Sequence, residues 1–316
     1  MKKAIALGFI VIIVLLVGSY YMFPEVILRL AINAERNAAG LTKKEIQVDD
    51  HKIVYLEGGK GQTVLLLHGF GAYKDDWTRF AKYLTKDYHV VIPDLPGFGE
   101  SSQIPQDVYD TDSQLKRIDR FMETLKLDKF HIAGNSMGGM FAAAYSATYP
   151  QKVLTAALLD SGGVKSPHKS EAYKLFEKGI NPLLVSNGEE FDRLLKLVFV
   201  NPPFIPGEFK KIFAAQLISR RDFNKKIWVD LKWNEIKDGT PVAEIILNPY
   251  LPMIQAPVLV IWGDSDKFLD VGCTAVLEKN LKKHQTVIMK DTGHVPMLER
   301  PQDTATVYLT FLKNQQ

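Results

Sequence analysis

Short apolar runs rich in β-branched residues alternate with helix-patterned stretches along most of this chain of 316 residues. Strands joined in this way by helices form a mainly parallel sheet with helices on both faces. The predicted strands are Ile53–Leu56, Thr63–Leu67, His89–Pro93, Phe130–Ala133, Val153–Leu159, Val258–Trp262 and Thr286–Met289. The predicted helices are Ser113–Leu125, Met137–Tyr149, Val271–Leu281 and Thr304–Leu312.

The alternation stops between about Gly163 and Asn248. This stretch has helical patterns only, and several prolines interrupt it. We therefore expect one sheet domain, residues 42–316, that carries a helical cap at about 163–248. The cap is rich in large apolar side chains, and such a cap over a reactive site favours a lipophilic substrate.

The N-terminus holds an uncharged apolar run, Ala4–Phe23, which follows Lys2 and Lys3. As a helix it would be about 30 Å long, enough to cross a bilayer. Residues 1–23 are therefore either a retained membrane anchor or a secretory signal that is cleaved. The bulky aromatic residues at the end of the run favour the anchor. The two lysines favour an orientation with the folded domain on the outer side.

Residues 24–41 have the pattern of an amphipathic helix that begins with a proline. Its polar positions recur at helical spacing, and its other side is apolar. Such a helix can lie on a membrane surface or pack on the folded domain. The sequence leaves both possibilities open.

Charge and cysteine content exclude some functions. The formal net charge is only +3, which gives no electrostatic reason to expect a nucleic-acid partner. Cys273 is the single cysteine, so an internal disulfide and a cysteine-cluster metal site are both excluded.

A glycine-flanked serine follows the predicted strand Phe130–Ala133. The segment Gly134–Gly139 reads Gly-Asn-Ser-Met-Gly-Gly and leads into a helix. The pattern G-x-S-x-G between a strand and a helix is typical of a nucleophile elbow. The helix N-terminus also stabilises negative charge that develops beside the serine. Ser136 is therefore the predicted nucleophile.

A serine nucleophile needs a base and an acid, which follow it in the chain in this architecture. His294 comes after the last predicted strand and before the final helix, so it lies at the edge that carries the elbow. Two acids follow the strand Val258–Trp262, and spacing alone leaves Asp264 and Asp266 both open. Asp160, at the end of another strand, is a third candidate.

A glycine-rich turn, His68–Gly71, follows the strand Thr63–Leu67, and we call it the oxyanion loop. Its backbone must approach the nucleophile, so that the N–H of Phe70 joins the N–H of Met137 around an oxyanion. A second glycine-rich turn, Asp94–Ser101, is interpreted as structural. Neither turn matches the dinucleotide pattern G-x-G-x-x-G.

Together these motifs resemble the α/β-hydrolase superfamily. Within it, the whole chain looks like the membrane-anchored monoacylglycerol lipases and the related cold-adapted bacterial lipases. The resemblance implies the α/β-hydrolase fold: a mainly parallel sheet of the eight-stranded type, flanked by helices, with a helical cap insertion. The family pattern Trp-Gly-x-x-Asp places the acid on Asp266, and the family's second oxyanion donor corresponds to Phe70.

The resemblance implies a serine carboxylester hydrolase, a lipase or esterase that cleaves lipophilic acyl esters through an acyl-enzyme. Its substrate is a lipid or small acyl ester, and it needs neither a metal nor an organic cofactor. One alternative is a carbon–carbon bond hydrolase of the same fold, although those usually carry a longer Gly-Pro-Gly loop. Another is a non-catalytic binding protein on the same scaffold.

Overall fold

An eight-stranded sheet runs through the protein, in a computed structural model that describes residues 18–237 and 240–315. In spatial order its strands are β1, β2, β4, β3, β5, β6, β9 and β10. β1 and β2 pair antiparallel, as do β2 and β4, and the other pairs are parallel. The strands are β1 (Leu41–Val48), β2 (His51–Gly58), β3 (Thr63–Leu67), β4 (His89–Pro93), β5 (Phe130–Asn135), β6 (Val153–Leu159), β9 (Val258–Gly263) and β10 (His284–Met289). The predicted mainly parallel sheet is confirmed.

Helices cover both faces of the sheet and form most of the cap. The sheet-domain helices are α1 (Pro24–Ala38), α2 (Thr78–Leu84), α3 (Thr111–Thr124), α4 (Met137–Thr148), α9 (Cys273–Asn280), α10 (Pro296–Glu299) and α11 (Pro301–Lys313). The cap helices are α5 (Glu171–Phe176), α6 (Gly188–Val198), α7 (Gly207–Ser219) and α8 (Arg221–Asp230). Short 3₁₀ turns occur at Lys74–Trp77, Val242–Glu244 and Leu251–Met253.

The central strands carry mostly apolar side chains on both faces. Every residue of β3, β5 and β9 is buried. Such strands read as continuous apolar runs, since helices cover each side of a parallel sheet. Two large apolar clusters, one on each face of the sheet, form the core of the domain.

The structure differs from the sequence predictions at the edge strand and in the cap. β1 was not predicted, because only the two ends of this polar strand are buried. The cap was expected to be helical throughout, but it also contains a two-residue hairpin of β7 (Ile236–Lys237) and β8 (Thr240–Pro241).

Helix α1 packs on the folded domain with one of its faces. It buries Leu28, and the Arg36 guanidinium donates to both oxygens of Asp75, at 2.6 and 2.8 Å. Its other face exposes Val26 and Leu30. Most of the predicted anchor, residues 4–17, lies outside the described residues. Within the described ranges, each helix is too short or too polar to cross a bilayer.

Candidate active site

The nucleophile elbow connects β5 to α4. Ser136 has φ 55° and ψ −117°, a backbone conformation that is uncommon for a residue other than glycine. Backbone crowding explains the flanking glycines. A Cβ on Gly134 would lie 2.1 Å from the carbonyl oxygen of Gly138, and one on Gly138 would lie 2.2 Å from that of Leu67. The strained turn leaves Ser136 partly exposed between buried neighbours.

A buried carboxylate–imidazole pair lies at the carboxyl edge of the same sheet. The Nδ1 of His294 is 2.8 Å from Oδ2 of Asp266, and both side chains are buried. Oδ1 of Asp266 accepts hydrogen bonds from the backbone N–H groups of Phe268 and Leu269. Asp264, the other acid on this loop, is exposed and accepts a hydrogen bond from a neighbouring serine. The structure therefore pairs Asp266, and not Asp264, with His294.

Asn135 joins the elbow to the histidine loop. Its side-chain amide donates to the carbonyl oxygens of His294, at 2.9 Å, and Leu159, at 3.2 Å. Asn135 directly precedes Ser136, so these bonds fix the distance between the elbow and the base. This role of Asn135 was not predicted, although a polar residue at the end of a buried strand is a signal for one.

The oxyanion loop contacts the nucleophile. A Cβ on Gly69 would lie 3.3 Å from Cβ of Ser136, so a side chain at this position would crowd the nucleophile. Phe70 is the next residue in this loop. Met137 is the first residue of α4, where backbone N–H groups have no partner within the helix. Met137 thus directly follows Ser136 in the chain, and Phe70 directly follows the glycine that contacts Ser136.

His68 holds the oxyanion loop in place. It is fully buried, and its Nδ1 lies 2.7 Å from the carbonyl oxygen of Gly69, while Nε2 lies 3.0 Å from the backbone nitrogen of Leu95. An imidazole that donates from Nδ1 and accepts at Nε2 is neutral. Burial favours this state, because it lowers the pKa of His68. The turn Asp94–Ser101, interpreted as structural, therefore supports the oxyanion loop.

An ion cluster around the buried Lys74–Asp94 pair strengthens this support. Nζ of Lys74, a side chain that is 1% exposed, lies 2.8 Å from Oδ2 of Asp94 and 2.7 Å from Oε1 of Glu100. Asp94 also accepts from the backbone N–H groups of Lys74 and Glu100. The cluster joins the segment after the oxyanion loop to the turn Asp94–Ser101. Sequence patterns gave no sign of it.

Asp160, the third candidate acid, lies beside the pair and not in it. Its Oδ1 accepts the backbone N–H of Gly263 at 2.9 Å, and Oδ2 has no hydrogen-bond partner among the described residues. Burial, and then the charge of Asp266, raise the pKa of Asp160 well above its ordinary value. One ligand-type atom each from Asp160, Asp266 and His294 lie within 4.8 Å of one another, a spacing that could hold a metal ion. Because Asp266 and His294 are already bonded to each other, we interpret the group as a hydrogen-bonded cluster.

Comparison with known proteins identifies the family. The sequence model of the family described as alpha/beta hydrolase fold matches residues 62–301. The chain belongs to the α/β-hydrolase family. Lipase 1 of Psychrobacter immobilis is 34% identical over 284 residues, which cover 89% of this chain and 87% of that lipase. The predicted family is confirmed.

Two further relatives agree with this result. Monoacylglycerol lipase ABHD6 of Homo sapiens is 30% identical over 308 residues, covering 94% of this chain and 89% of that enzyme. A solved structure described as a membrane phospholipase A and bacterial virulence factor has a TM-score of 0.88 and 42% identity. That similarity covers 100% of this chain and 99% of the other. Similarity to named lipases over most of the chain supports the predicted lipase or esterase function of this α/β hydrolase.

An aromatic wall links the oxyanion loop of the hydrolase to its histidine. The Phe70 ring contacts the cap residues Trp228 and Trp233, each at 5.7 Å between centroids. Trp228 stacks on Phe176 at 5.4 Å, and Phe176 meets Phe268 at 6.3 Å. The last ring, Phe268, lies 5.0 Å from the imidazole of His294. A continuous series of ring contacts thus joins the cap to both sides of the site.

Proposed function

We propose that the chain is a serine carboxylester hydrolase that cleaves lipophilic acyl esters through an acyl-enzyme. Ser136 attacks the ester carbonyl, and His294 takes its proton and passes it to the leaving alcohol. Water then releases the acid by the same route. Asp266 holds the imidazole in the productive tautomer, and the N–H groups of Phe70 and Met137 stabilise the oxyanion. None of these steps requires a metal or an organic cofactor.

The hydrogen bond between Asp266 and His294 carries this proposal. A buried carboxylate bonded to Nδ1 leaves Nε2 of the imidazole as the free base, which is the arrangement that a serine nucleophile needs. Asn135 ties the backbone of the same histidine to the residue before Ser136. A histidine with only a structural role would not need both attachments at a strained serine turn.

The aromatic wall supports an apolar acyl group. The apolar rings of Phe70, Trp228 and Phe268 beside the site favour contact with hydrocarbon over contact with a peptide or sugar. The names of the relatives suggest two substrate classes, monoacylglycerols and phospholipids. We propose that the substrate is an acyl ester of one of these lipids.

An active-site probe tests the nucleophile. We expect a fluorophosphonate to label the wild-type protein and not Ser136→Ala, and the same variant to lose hydrolysis of p-nitrophenyl butyrate. Ser161→Ala is the matched control, because Ser161 is a second serine beside the elbow. The Cβ of Ser161 would lie 2.9 Å from a Cβ added to Gly139. This variant should keep both labelling and activity. Absence of labelling in the wild type would support a non-catalytic binding protein.

A substrate series tests the reaction class. We expect faster hydrolysis of monoacylglycerols or phospholipids than of short esters, because the aromatic wall adds apolar contact. The series should include a vinylogous carbon–carbon substrate of the kind cleaved by other enzymes of this fold. Faster turnover of that compound than of any ester would reject the lipase proposal.

We also propose that residues 4–23 anchor the protein in a membrane, with the hydrolase domain on the outer side. The described end of this segment supports the proposal, since Tyr21, Met22 and Phe23 are exposed apolar residues at the start of the fold. We expect the full-length protein to stay in the membrane pellet after alkaline carbonate extraction. A soluble mature protein that begins near Tyr20 would instead show a cleaved signal.

A further inference from the structure

Asp160 occupies a strained position at the edge of the sheet that carries the site. It follows β6 directly and has φ 44°, a left-handed conformation that asparagine and aspartate tolerate better than most residues. Its side chain is 0% exposed. Strained, buried polar residues of this kind are concentrated at functional sites. The reaction proposed above uses Asp266 and leaves Asp160 without a role.

Hydrogen bonds distinguish the two carboxyl groups. Asp266 accepts three: two from backbone N–H groups, and one from His294. Asp160 accepts one, from Gly263, and its Oδ2 is buried with no partner in the described part of the chain. Donors stabilise the ionised form of a carboxyl group. Asp266 therefore has the set of donors that a carboxylate needs, and Asp160 does not.

Two buried carboxyl groups this close cannot both be ionised at low energy. An oxygen of Asp160 and an oxygen of Asp266 lie within 4.8 Å of each other, and both side chains are buried. Such pairs hold one proton between them. A proton on Oδ2 of Asp160 would make this buried oxygen a donor, and the carboxylate of Asp266 is a nearby acceptor for it.

We propose that Asp160 is a neutral carboxylic acid that donates a hydrogen bond to Asp266, and that it replaces Asp266 as the partner of His294 when Asp266 is neutralised. Asp160 is thus a positioning residue with a reserve role. The inference rests on the proposed serine mechanism. The raised pKa of Asp160 agrees with it, because burial and then the charges of Asp266 and Glu299 all disfavour ionisation.

Asparagine is the isosteric test of the neutral state. Its amide donates to Asp266 from Nδ2 and accepts from Gly263 at Oδ1, as the carboxylic acid does. We therefore expect Asp160→Asn to keep kcat within about threefold of the wild type, with KM unchanged. Loss of most activity in Asp160→Asn would overturn the proposal, because an ionised Asp160 would then be required.

The reserve role predicts a background-dependent effect. In Asp266→Asn the neighbouring charge is gone, so Asp160 can ionise and pair with His294. Adding Asp160→Asn to that variant should lower kcat by about tenfold or more, although the same change is nearly silent in the wild type. If Asp160 were merely structural, Asp160→Asn would lower kcat by the same factor in the wild type and in Asp266→Asn. Equal factors, or an Asp266→Asn variant no more active than the double variant, would refute the inference.

Two controls keep the outcome interpretable. A wild-type protein without Ser136-dependent hydrolysis would contradict the proposed function itself. If the wild type is active but Asp160→Asn lowers kcat equally in the wild type and in Asp266→Asn, only this inference is contradicted. If Asp160→Asn does not fold, infrared spectra of the full-length wild type with ¹³C-labelled aspartate provide a second measurement. We expect a label-sensitive protonated carboxyl band at about pH 9, which is above the pKa of about 7 to which burial raises Asp76. Absence of that band would refute a neutral Asp160.

Discussion

Replacing Lys74 by Met removes the cation from the buried cluster beneath the oxyanion loop. Nζ of Lys74 lies 2.8 Å from Asp94 and 2.7 Å from Glu100. Burial opposes the charge of Lys74, but Asp94 and Asp75 outweigh burial and raise the pKa of the lysine. Lys74 is therefore charged at neutral pH. Methionine fills similar space without a charge, so the variant changes electrostatics more than packing.

The burial of Asp94 sets the size of the effect. Removing one partner of a buried ion pair destabilises a protein by about 3–5 kcal/mol, because the other charge stays buried. Asp94 is 0% exposed, but in Lys74→Met it would keep its two backbone N–H donors. We therefore expect the lower end of the range, a loss of about 3 kcal/mol in the free energy of unfolding. Since the cluster supports the oxyanion loop, kcat should fall as well.

Urea unfolding of the full-length protein in detergent measures this loss. Lys43→Met is the matched control, because Lys43 also binds Glu100 at 2.7 Å, but its side chain is 45% exposed. An exposed pair contributes about 1 kcal/mol or less, so the control should lie near the wild type. Equal losses in the two variants, or a loss below about 1 kcal/mol for Lys74→Met, would show that the buried cluster does not stabilise the fold as argued.

Two further predictions concern acid stability and the elbow. Burial lowers the pKa of the His131 imidazole to about 4. As the pH falls, this imidazole therefore binds a proton in the unfolded chain before it does so in the folded protein. The free energy of unfolding falls by about 3 kcal/mol as the pH drops from 6.5 to 4. His131→Gln should flatten that part of the plot of unfolding free energy against pH, and an unchanged slope would contradict the assignment. Gly134→Ala should destabilise the protein by about 3 kcal/mol or more and abolish hydrolysis, because its Cβ would meet the carbonyl of Gly138. Gly188→Ala is the control, since nothing described lies within 4 Å of its Cβ; equal melting temperatures for the two alanine variants would refute the steric argument.

Local patterns made much of the fold predictable. β9 and, after Thr63, β3 are apolar along their length because both faces are covered, so the chain shows them as continuous runs. The elbow was visible because its geometry restricts the residues on each side of Ser136. β1 was missed for the opposite reason. It is an edge strand whose middle is exposed, so burial leaves no apolar pattern in its sequence.

Contacts between distant segments were not predictable. Lys74 reads as one more surface lysine, and its burial depends on the turn that carries Asp94. The spacing of Asp264 and Asp266 could not decide between them, because the choice depends on how the loop folds back to His294. The position of Asp160 beside Asp266 and His294 depends on three neighbouring strands that end at the same edge of the sheet. Tertiary packing sets each of these features, and no local pattern records it.

The position of His294 depends on the cap as well as on the sheet domain. Its backbone N–H donates to the carbonyl oxygen of Val198 at the end of α6, at 2.9 Å. Glu299 adds a second link, since it accepts from the backbone of Gly293 with one oxygen and from Val200 and the next residue with the other. A cap movement that displaced residues 198–201 would therefore pull on the loop that carries the base. The cap can admit a large substrate and leave the base in place only if it opens at its other segments.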